Sequence, residues 1–173
     1  MDAPKRKQNR IPGYDYSTPG AYFVTICAQE RRNLFWNFGR SSNNAVGAAI
    51  SRPQNETACP FPLSVEGEIV RSAIRNMEEI YPAVSIEKYV IMPNHIHLLL
   101  RINTDKNGRL IAAPTLSTAI GQMKRRASKE AGKSLWQKSF HDHVVRNERD
   151  WREIWEYIDA NPARWTEDRY YSE

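Results

Sequence analysis

"VSIEKYVIMPNHIHLLLRI", residues 84–102, predicts two β-strands joined by a tight turn at Pro93 and Asn94. Alternate side chains of a strand face opposite ways, so His95 and His97 lie on the same face of the second strand. The other face carries only apolar side chains: Ile96, Leu98, Leu100 and Ile102. The stretch therefore predicts a strand with hydrophobic core on one side and a polar site on the other.

The rest of the chain predicts further strands and helices around this hairpin. Residues 20–28 are rich in β-branched and aromatic side chains and predict a first strand, and residues 134–146 predict a fourth. Apolar residues at helical spacing predict helices over 65–81, over 116–127, and from the cap Asn147 to Pro162. This order resembles a split βαβ arrangement, an α+β fold with helices on one face of a mostly antiparallel sheet and the other face free for a ligand. The C-terminal helix would carry Tyr157.

Length and composition indicate a single globular domain over residues 1–173. Residues 1–19 form a basic N-terminal arm, and residues 36–62 are predicted to be an irregular surface excursion that adds little to the core. No apolar stretch approaches the roughly 20 residues that span a bilayer, and no apolar run follows the basic N-terminus as in a secretory signal. With two distant cysteines, the sequence favours a cytoplasmic protein with no membrane partner.

The net charge of +5 favours an anionic partner, and the distribution of charge favours nucleic acid. Basic residues of the N-terminal arm stand beside aromatic ones, which suits single-stranded DNA because cations meet phosphates while rings stack on bases. The candidate contacts in the arm are Lys5, Arg6, Lys7, Arg10 and Tyr14. A second basic cluster, Lys124, Arg125 and Arg126, lies on the predicted second helix, where a solvated polar face explains the charges equally well.

Two histidines on one strand face can converge on a divalent cation, although an H-x-H pattern alone is more often a pair of ordinary polar residues. Tyr157 and Asn161 lie one turn apart on the flank of the last helix. If that helix packs on the histidine face, the Asn161 amide offers a third ligand and the Tyr157 hydroxyl a nucleophile. A cation would assist a phenol, whose pKa is near 10, in attacking a phosphate. The alternative for Tyr157 is packing beside Trp155.

Several stretches resemble one known family. "VIMPNHIHLLL" is similar to the HUH motif (His, hydrophobic, His) of the tyrosine transposases that move single-stranded DNA, and "WEYIDANPARW" resembles their tyrosine helix. "YDYSTPGAYFVTICAQERRNLF" and "LWQKSFHDHVVRNERDW" resemble the branch associated with repetitive extragenic palindromes (REP). The resemblance implies a ferredoxin-like fold, Mg²⁺ or Mn²⁺ held by His95, His97 and Asn161, and Tyr157 as the nucleophile. It also implies cleavage and rejoining of single-stranded DNA hairpins through a 5′-phosphotyrosine with a free 3′-hydroxyl, by a monomer or by a homodimer that exchanges the tyrosine helix.

Other interpretations remain open at the level of sequence. His141 and His143 form a second H-x-H pattern, so a four-histidine zinc site with His95 and His97 is conceivable, but His143 more plausibly braces the site or touches phosphate. A hairpin-binding protein retained by its host without transposition is the alternative function. A plasmid replication initiator or a relaxase with the same metal chemistry should have a longer chain with further domains.

Overall fold

The computed structural model describes residues 13–39, 54–104 and 114–171. Within these ranges four strands and three α-helices alternate as the sequence predicts. Their bounds are β1 Gly20–Cys27, α1 Val65–Ile80, β2 Val84–Ile91, β3 His95–Ile102, α2 Leu116–Glu130, β4 His141–Val145 and α3 Glu148–Ala160. Short 3₁₀ helices follow β1 at Gln29–Arg31 and α3 at Asn161–Glu167. No helix in these ranges is long and apolar enough to cross a membrane.

The four strands form one antiparallel sheet in the order β2-β3-β1-β4. Strand β3 lies between β1 and β2, which run in the same direction and are joined by α1, so the predicted α+β, split βαβ fold is confirmed. In this register His97 lies opposite Thr25 of β1 and Val90 of β2. The two histidines therefore stand at the centre of the sheet.

One face of the sheet packs against α1 and α2. The apolar side of β3 meets β1 side chains such as Tyr22 and Val24, all buried in one continuous core. Both helices bury a stripe at helical spacing, Val70, Ala73, Ile74 and Met77 on α1 and Leu116, Ala119, Ile120, Met123 and Ala127 on α2. Removing this apolar surface from water supplies the main driving force for folding.

The opposite face carries α3, so the expectation that this face is free for a ligand is wrong for the part that the helix covers. Ile154 and Ile158 of α3 pack with Leu99 and Val90 of the sheet in a second core cluster. The apolar stripe of α3 has no other surface to cover, because the first face is already occupied by α1 and α2. The last helix therefore packs on the histidine face, which is the condition under which Tyr157 and Asn161 can approach the histidines.

The ends of the predicted excursion contribute more to the core than the sequence indicated. Trp36 is 3% exposed, belongs to the second cluster and donates from Nε1 to the Ile91 carbonyl at 2.6 Å. Phe61 packs against the Trp36 indole with ring centroids 5.6 Å apart. The expectation of a minor contribution to the core is thus wrong for Trp36 and Phe61. Aromatic side chains bury a large surface even where the backbone forms no helix or strand.

Polar contacts fix α3 on the edge of the sheet formed by β2. Asp159 pairs with Lys88 at 2.7 Å and accepts a hydrogen bond from Thr57 at 2.9 Å. The Trp151 indole donates to Glu87 at 2.5 Å. Asn147 caps the helix as predicted, accepting from the Asp150 N–H at 2.9 Å. The contacts of Asp159 and Trp151 therefore attach both ends of α3 to the sheet and to Thr57.

Residues 54–57 lie along the outer edge of β2. The Thr57 N–H donates to the Tyr89 carbonyl and the Tyr89 N–H donates to the Asn55 carbonyl, both at 2.9 Å. The two segments form a short parallel bridge at Glu56 and Tyr89. Glu56 accepts a further bond from the Tyr89 hydroxyl at 2.9 Å. Residues 54–57 therefore cover the edge of β2 at Tyr89, and Thr57 of this segment also contacts α3.

Candidate active site

His95 is completely buried and is oriented by its neighbour Asn94. The Asn94 amide nitrogen donates to the carbonyl of Tyr170 at 2.7 Å and to that of Arg31 at 3.2 Å, so its oxygen must face His95. That oxygen lies 2.9 Å from His95 Nδ1, which must therefore carry the proton. The Nε2 atom of a neutral His95 therefore has a lone pair that can accept a hydrogen bond or bind a cation.

The two imidazoles meet through their Nε2 atoms, which lie 3.0 Å apart. Burial lowers the pKa of His95 from 6.5 to about 3, with help from the charges of Arg169 and Arg31. Burial, His95 and Arg169 hold the pKa of His97 well below its usual range. Both rings are therefore neutral at pH 7, and either a proton on His97 Nε2 or a cation must occupy the space between the two nitrogens. Thr25 Oγ1, 2.8 Å from His97 Nδ1, can donate or accept and so serves both tautomers.

The donor atoms fit a divalent metal. Two nitrogens about 3.0 Å apart suit adjacent positions of an octahedral ion with bonds of about 2.1 Å. The Asp168 carboxylate and both imidazoles have ligand atoms within 4.8 Å of one another. The Asn161 amide oxygen is buried without a hydrogen-bond partner among the described residues. This combination of imidazole, amide and carboxylate donors suits Mn²⁺. It suits Mg²⁺ when the other ligands of the ion are oxygen atoms.

Asp168 was not predicted from the sequence. It lies just beyond the 3₁₀ helix Asn161–Glu167, where no periodic pattern marks it, and the short spacing to Asn161 was the only available signal. The four-histidine zinc site is not formed in the part of the chain that the structure describes, because the one cluster of ligand atoms there contains His95, His97 and Asp168. His143 instead pairs with Asp150 at 2.9 Å, and His141 is exposed at the edge strand.

Tyr157 lies over the histidine pair at the mouth of the site. Its hydroxyl is 3.3 Å from His97 Nε2, and its ring stands edge-on to the rings of Phe23 and His97. Trp155, the alternative packing partner, stacks instead with Trp151. The side chain remains 41% exposed. Burial, then the charge of Asp168, raise the pKa of Tyr157, and the Asn161 amide opposes them. The phenol is therefore protonated at neutral pH.

Two cavities border Tyr157. One, of about 410 Å³, is lined by Phe23, Thr25, His97, Asp150, Glu153, Ile154, Tyr157 and Arg169. The other, of about 690 Å³, is lined by Glu153, Glu156, Tyr157, Ala160, Asn161, Arg164, Glu167, Asp168 and Arg169. The Tyr157 side chain is thus accessible from solvent, whereas the candidate metal ligands His95, His97 and Asn161 are buried.

The predicted DNA contacts that the structure describes do not line this site. Lys5, Arg6, Lys7 and Arg10 lie outside the described residues. Tyr14 packs against Tyr16 and the first core. Lys124 Nζ donates to the carbonyls of Gln137 at 2.7 Å and Lys138 at 3.3 Å, and burial lowers its pKa. Arg125 and Arg126 line a groove between α1 and α2, across the sheet from the histidines. Their role as DNA contacts remains a prediction.

The model of one family, described as "Transposase IS200 like", matches residues 65–161, more than half of the chain. The chain belongs to the IS200-like transposase family. The matched range includes His95, His97, Tyr157 and Asn161 and ends before Asp168 and Arg169.

Two individual proteins and one solved structure are also similar to this chain. An uncharacterised protein of Haemophilus influenzae is 26% identical over 96% of this chain and 93% of its own length. A REP-associated tyrosine transposase of Escherichia coli is 25% identical over 59% of this chain and 58% of its own. A solved structure of a REP-associated tyrosine transposase bound to a REP hairpin has the same fold, with a TM-score of 0.59 and 20% identity over 90% of this chain and 73% of that one.

Proposed function

We propose that this transposase cleaves and rejoins single-stranded DNA at palindromic hairpins through a covalent 5′-phosphotyrosine at Tyr157. One observation carries the proposal: the Tyr157 hydroxyl lies 3.3 Å from the inner nitrogen of His97, which is itself 3.0 Å from that of His95. A nucleophile directly beside a pair of neutral imidazoles suits metal-assisted phosphoryl transfer and has no purpose in a protein that only binds DNA.

The proposed cleavage step conserves charge and atoms. The Tyr157 oxygen forms a bond to phosphorus, the bond from phosphorus to the 3′ oxygen breaks, and the phenolic proton leaves to water while the departing 3′ oxygen gains one. Attack by the 3′-hydroxyl of a second strand reverses the step and rejoins DNA without an external energy source.

His95, His97 and Asn161 would hold Mg²⁺ or Mn²⁺, with Asp168 as an additional ligand. When bound, such an ion withdraws charge from a non-bridging phosphate oxygen and orients the phosphate. Around it, Asn94 fixes the tautomer of His95, and Phe23 stacks on His97 with ring centroids 5.2 Å apart. These contacts hold the imidazoles in place before substrate arrives, which lowers the cost of reaching the transition state.

The substrate and the assembly are part of the same proposal. The E. coli relative is named for REP sequences, and the structural neighbour is bound to a REP hairpin, which supports a hairpin of single-stranded DNA as partner. The net charge of +5 fits a polyanion. The contacts of α3 with Lys88, Glu87 and Thr57 support a site made within one chain. A monomer then suffices for cleavage.

A covalent adduct tests the proposal. Hairpin oligonucleotides labelled at the 3′ or the 5′ end are incubated with protein and Mn²⁺ and resolved under denaturing conditions. We expect the 3′ label to move with the protein and the 5′ label to appear on a free fragment, because tyrosine keeps the 5′ phosphate. Tyr157→Phe should reduce the adduct by more than about 10⁴-fold, since it removes the nucleophile.

Tyr171→Phe is the matched control, because Tyr171 is similarly exposed at 42% but packs on Trp165 instead of His97. It should form the adduct at the wild-type rate. Tight hairpin binding without any adduct would favour the host-retained binding protein, and an undiminished adduct from Tyr157→Phe would exclude Tyr157 as nucleophile.

A further inference from the structure

The segment Asp168–Tyr170 closes one side of the candidate active site. Asp168 ends the 3₁₀ helix, and its carboxylate accepts from the Tyr170 N–H at 2.7 Å. The Tyr170 carbonyl accepts from Asn94 at 2.7 Å, and the Tyr170 ring lies 4.7 Å from that of His95. Arg169 is therefore fixed between two residues that are themselves attached to the histidine pair.

The Arg169 guanidinium is held by the Tyr170 side chain. Its central carbon lies 4.5 Å from the centre of the ring, and Nη2 donates to the Tyr170 hydroxyl. Among the described residues no carboxylate forms an ion pair with Arg169. A guanidinium has five N–H donors, so most remain available to a ligand.

Arg169 borders both cavities beside Tyr157. In the smaller one, which also contains His97, it is the only lysine or arginine among the described lining residues. The two carboxylates that line this smaller cavity are already engaged elsewhere, since Asp150 contacts His143 and Glu153 pairs with Arg149. An anion that entered next to the nucleophile would therefore find Arg169 as the available positive charge.

We propose that Arg169 is a catalytic residue that binds the non-bridging oxygens of the scissile phosphate while Tyr157 attacks it. This inference rests on the proposed function and adds a group outside the residues matched by the family model. The planar fork of arginine matches two phosphate oxygens, and charge on those oxygens increases as the new bond forms.

Single-turnover adduct formation with a 3′-labelled hairpin and Mn²⁺ tests the role of Arg169. Arg169→Ala should slow the reaction by about 10²-fold, and Arg169→Lys by about tenfold, because lysine keeps the charge and loses the fork. Added guanidinium ion should restore part of the rate of Arg169→Ala. Arg164→Ala, which alters only the larger cavity, is the matched control and should stay within about threefold of wild type.

Two binding measurements separate this role from a structural one. Calorimetric Mn²⁺ affinity, and hairpin affinity measured in a Tyr157→Phe background, should both change by less than about threefold in Arg169→Ala. A wild-type rate for Arg169→Ala, or a loss of Mn²⁺ affinity that matches the loss of rate, would overturn the role of Arg169 alone. No adduct with wild-type protein would instead overturn the proposed function.

Discussion

The two faces of β3 are both buried from His95 to Leu100 but are chemically opposite. Toward α1 and α2 the strand presents only aliphatic side chains, whereas toward α3 it presents His95 and His97, both at most 1% exposed. Burial on the first face removes apolar surface from water and stabilises the fold. Burial on the second face keeps two imidazoles neutral when they would otherwise gain protons, which costs stability as the pH falls. One strand therefore both anchors the core and places two neutral imidazoles, the candidate ligands of a cation, side by side.

Lowering the pH should lower the free energy of unfolding, because the two histidines are buried in their neutral form. Each unfolded histidine has a pKa near 6.5, whereas that of folded His95 is about 3. The contribution of each ring to stability is complete above pH 6.5 and is lost as the pH falls toward the folded pKa. At pH 5 the loss is about 2 kcal/mol for His95. His97, whose pKa is also held well below its usual range, adds a further loss of the same sign. Urea unfolding of metal-free protein at pH 7 and pH 5 measures it.

The control is the double variant His95→Gln with His97→Gln, which removes both titrating groups from this face. Its stability should change much less between pH 7 and pH 5. If wild type and double variant respond to acid alike, the two faces do not differ in the way described above.

Adjacent leucines allow the two faces to be compared directly. Leu98 and Leu99 are both fully buried, Leu98 in the α1–α2 core and Leu99 beside the histidines in the α3 cluster. Either substitution to alanine should lower the free energy of unfolding by about 3 kcal/mol. Calorimetric titration should show weaker Mn²⁺ binding for Leu99→Ala alone, because Phe23, which stacks on His97, lies opposite Leu99. Equal loss of Mn²⁺ affinity in both variants would contradict a site confined to one face.

A variant of Asp168 tests whether Mn²⁺ binding on the histidine face requires a carboxylate in addition to the two imidazoles. Asp168→Asn keeps the shape of the side chain and removes its charge, so Mn²⁺ affinity should fall about tenfold without DNA present. Glu167→Gln is the neighbouring control, since Glu167 lines the larger cavity but does not belong to the ligand cluster. Unchanged Mn²⁺ affinity in Asp168→Asn would show that Asp168 is not a ligand and that His95, His97 and Asn161 bind the ion without a carboxylate.

The smallest expected effect concerns the attachment of α3. Lys88 is 10% exposed, pairs with Asp159 and lies over the Trp155 ring at 4.5 Å. Lys88→Met retains the packing and removes the charge, which should cost about 1 kcal/mol in urea unfolding because Asp159 remains partly solvated. Arg149→Met, which breaks a solvent-exposed pair with Glu153, should produce no measurable change. A larger loss from Arg149→Met than from Lys88→Met would contradict this account of how α3 is held.

Local pattern predicted most of the fold. The observed β3 has the predicted bounds, His95–Ile102, and α3 begins after the predicted cap Asn147. The fourth strand is shorter than predicted, His141–Val145 instead of residues 134–146. The preceding residues are extended because Trp136 forms an isolated bridge with Ala28, and Gln137 donates to the Cys27 carbonyl. Such long-range hydrogen bonds leave no local signal that separates them from a strand.

The candidate site residues that lie on a strand or a helix could be predicted from the sequence, whereas those placed by a turn could not. Strand alternation and helical spacing in the sequence pointed to His95, His97, Tyr157 and Asn161. Asp168 and Arg169 approach the histidines only because Pro162 ends α3 and a 3₁₀ helix turns the chain back. Charge counting likewise could not distinguish Lys124, which binds two backbone carbonyls, from a lysine free to contact DNA.

The bridge between residues 54–57 and β2 has a consequence for how copies of the protein meet one another. An open strand edge offers unpaired N–H and C=O groups on which another chain can add a strand, the first step of aggregation. Here Thr57 and Asn55 occupy the outward-facing backbone groups of Tyr89, and the other edge is the short β4, which carries Asp142. The segment that contacts α3 through Thr57 therefore also covers backbone groups of β2 with which a strand of another copy could otherwise pair.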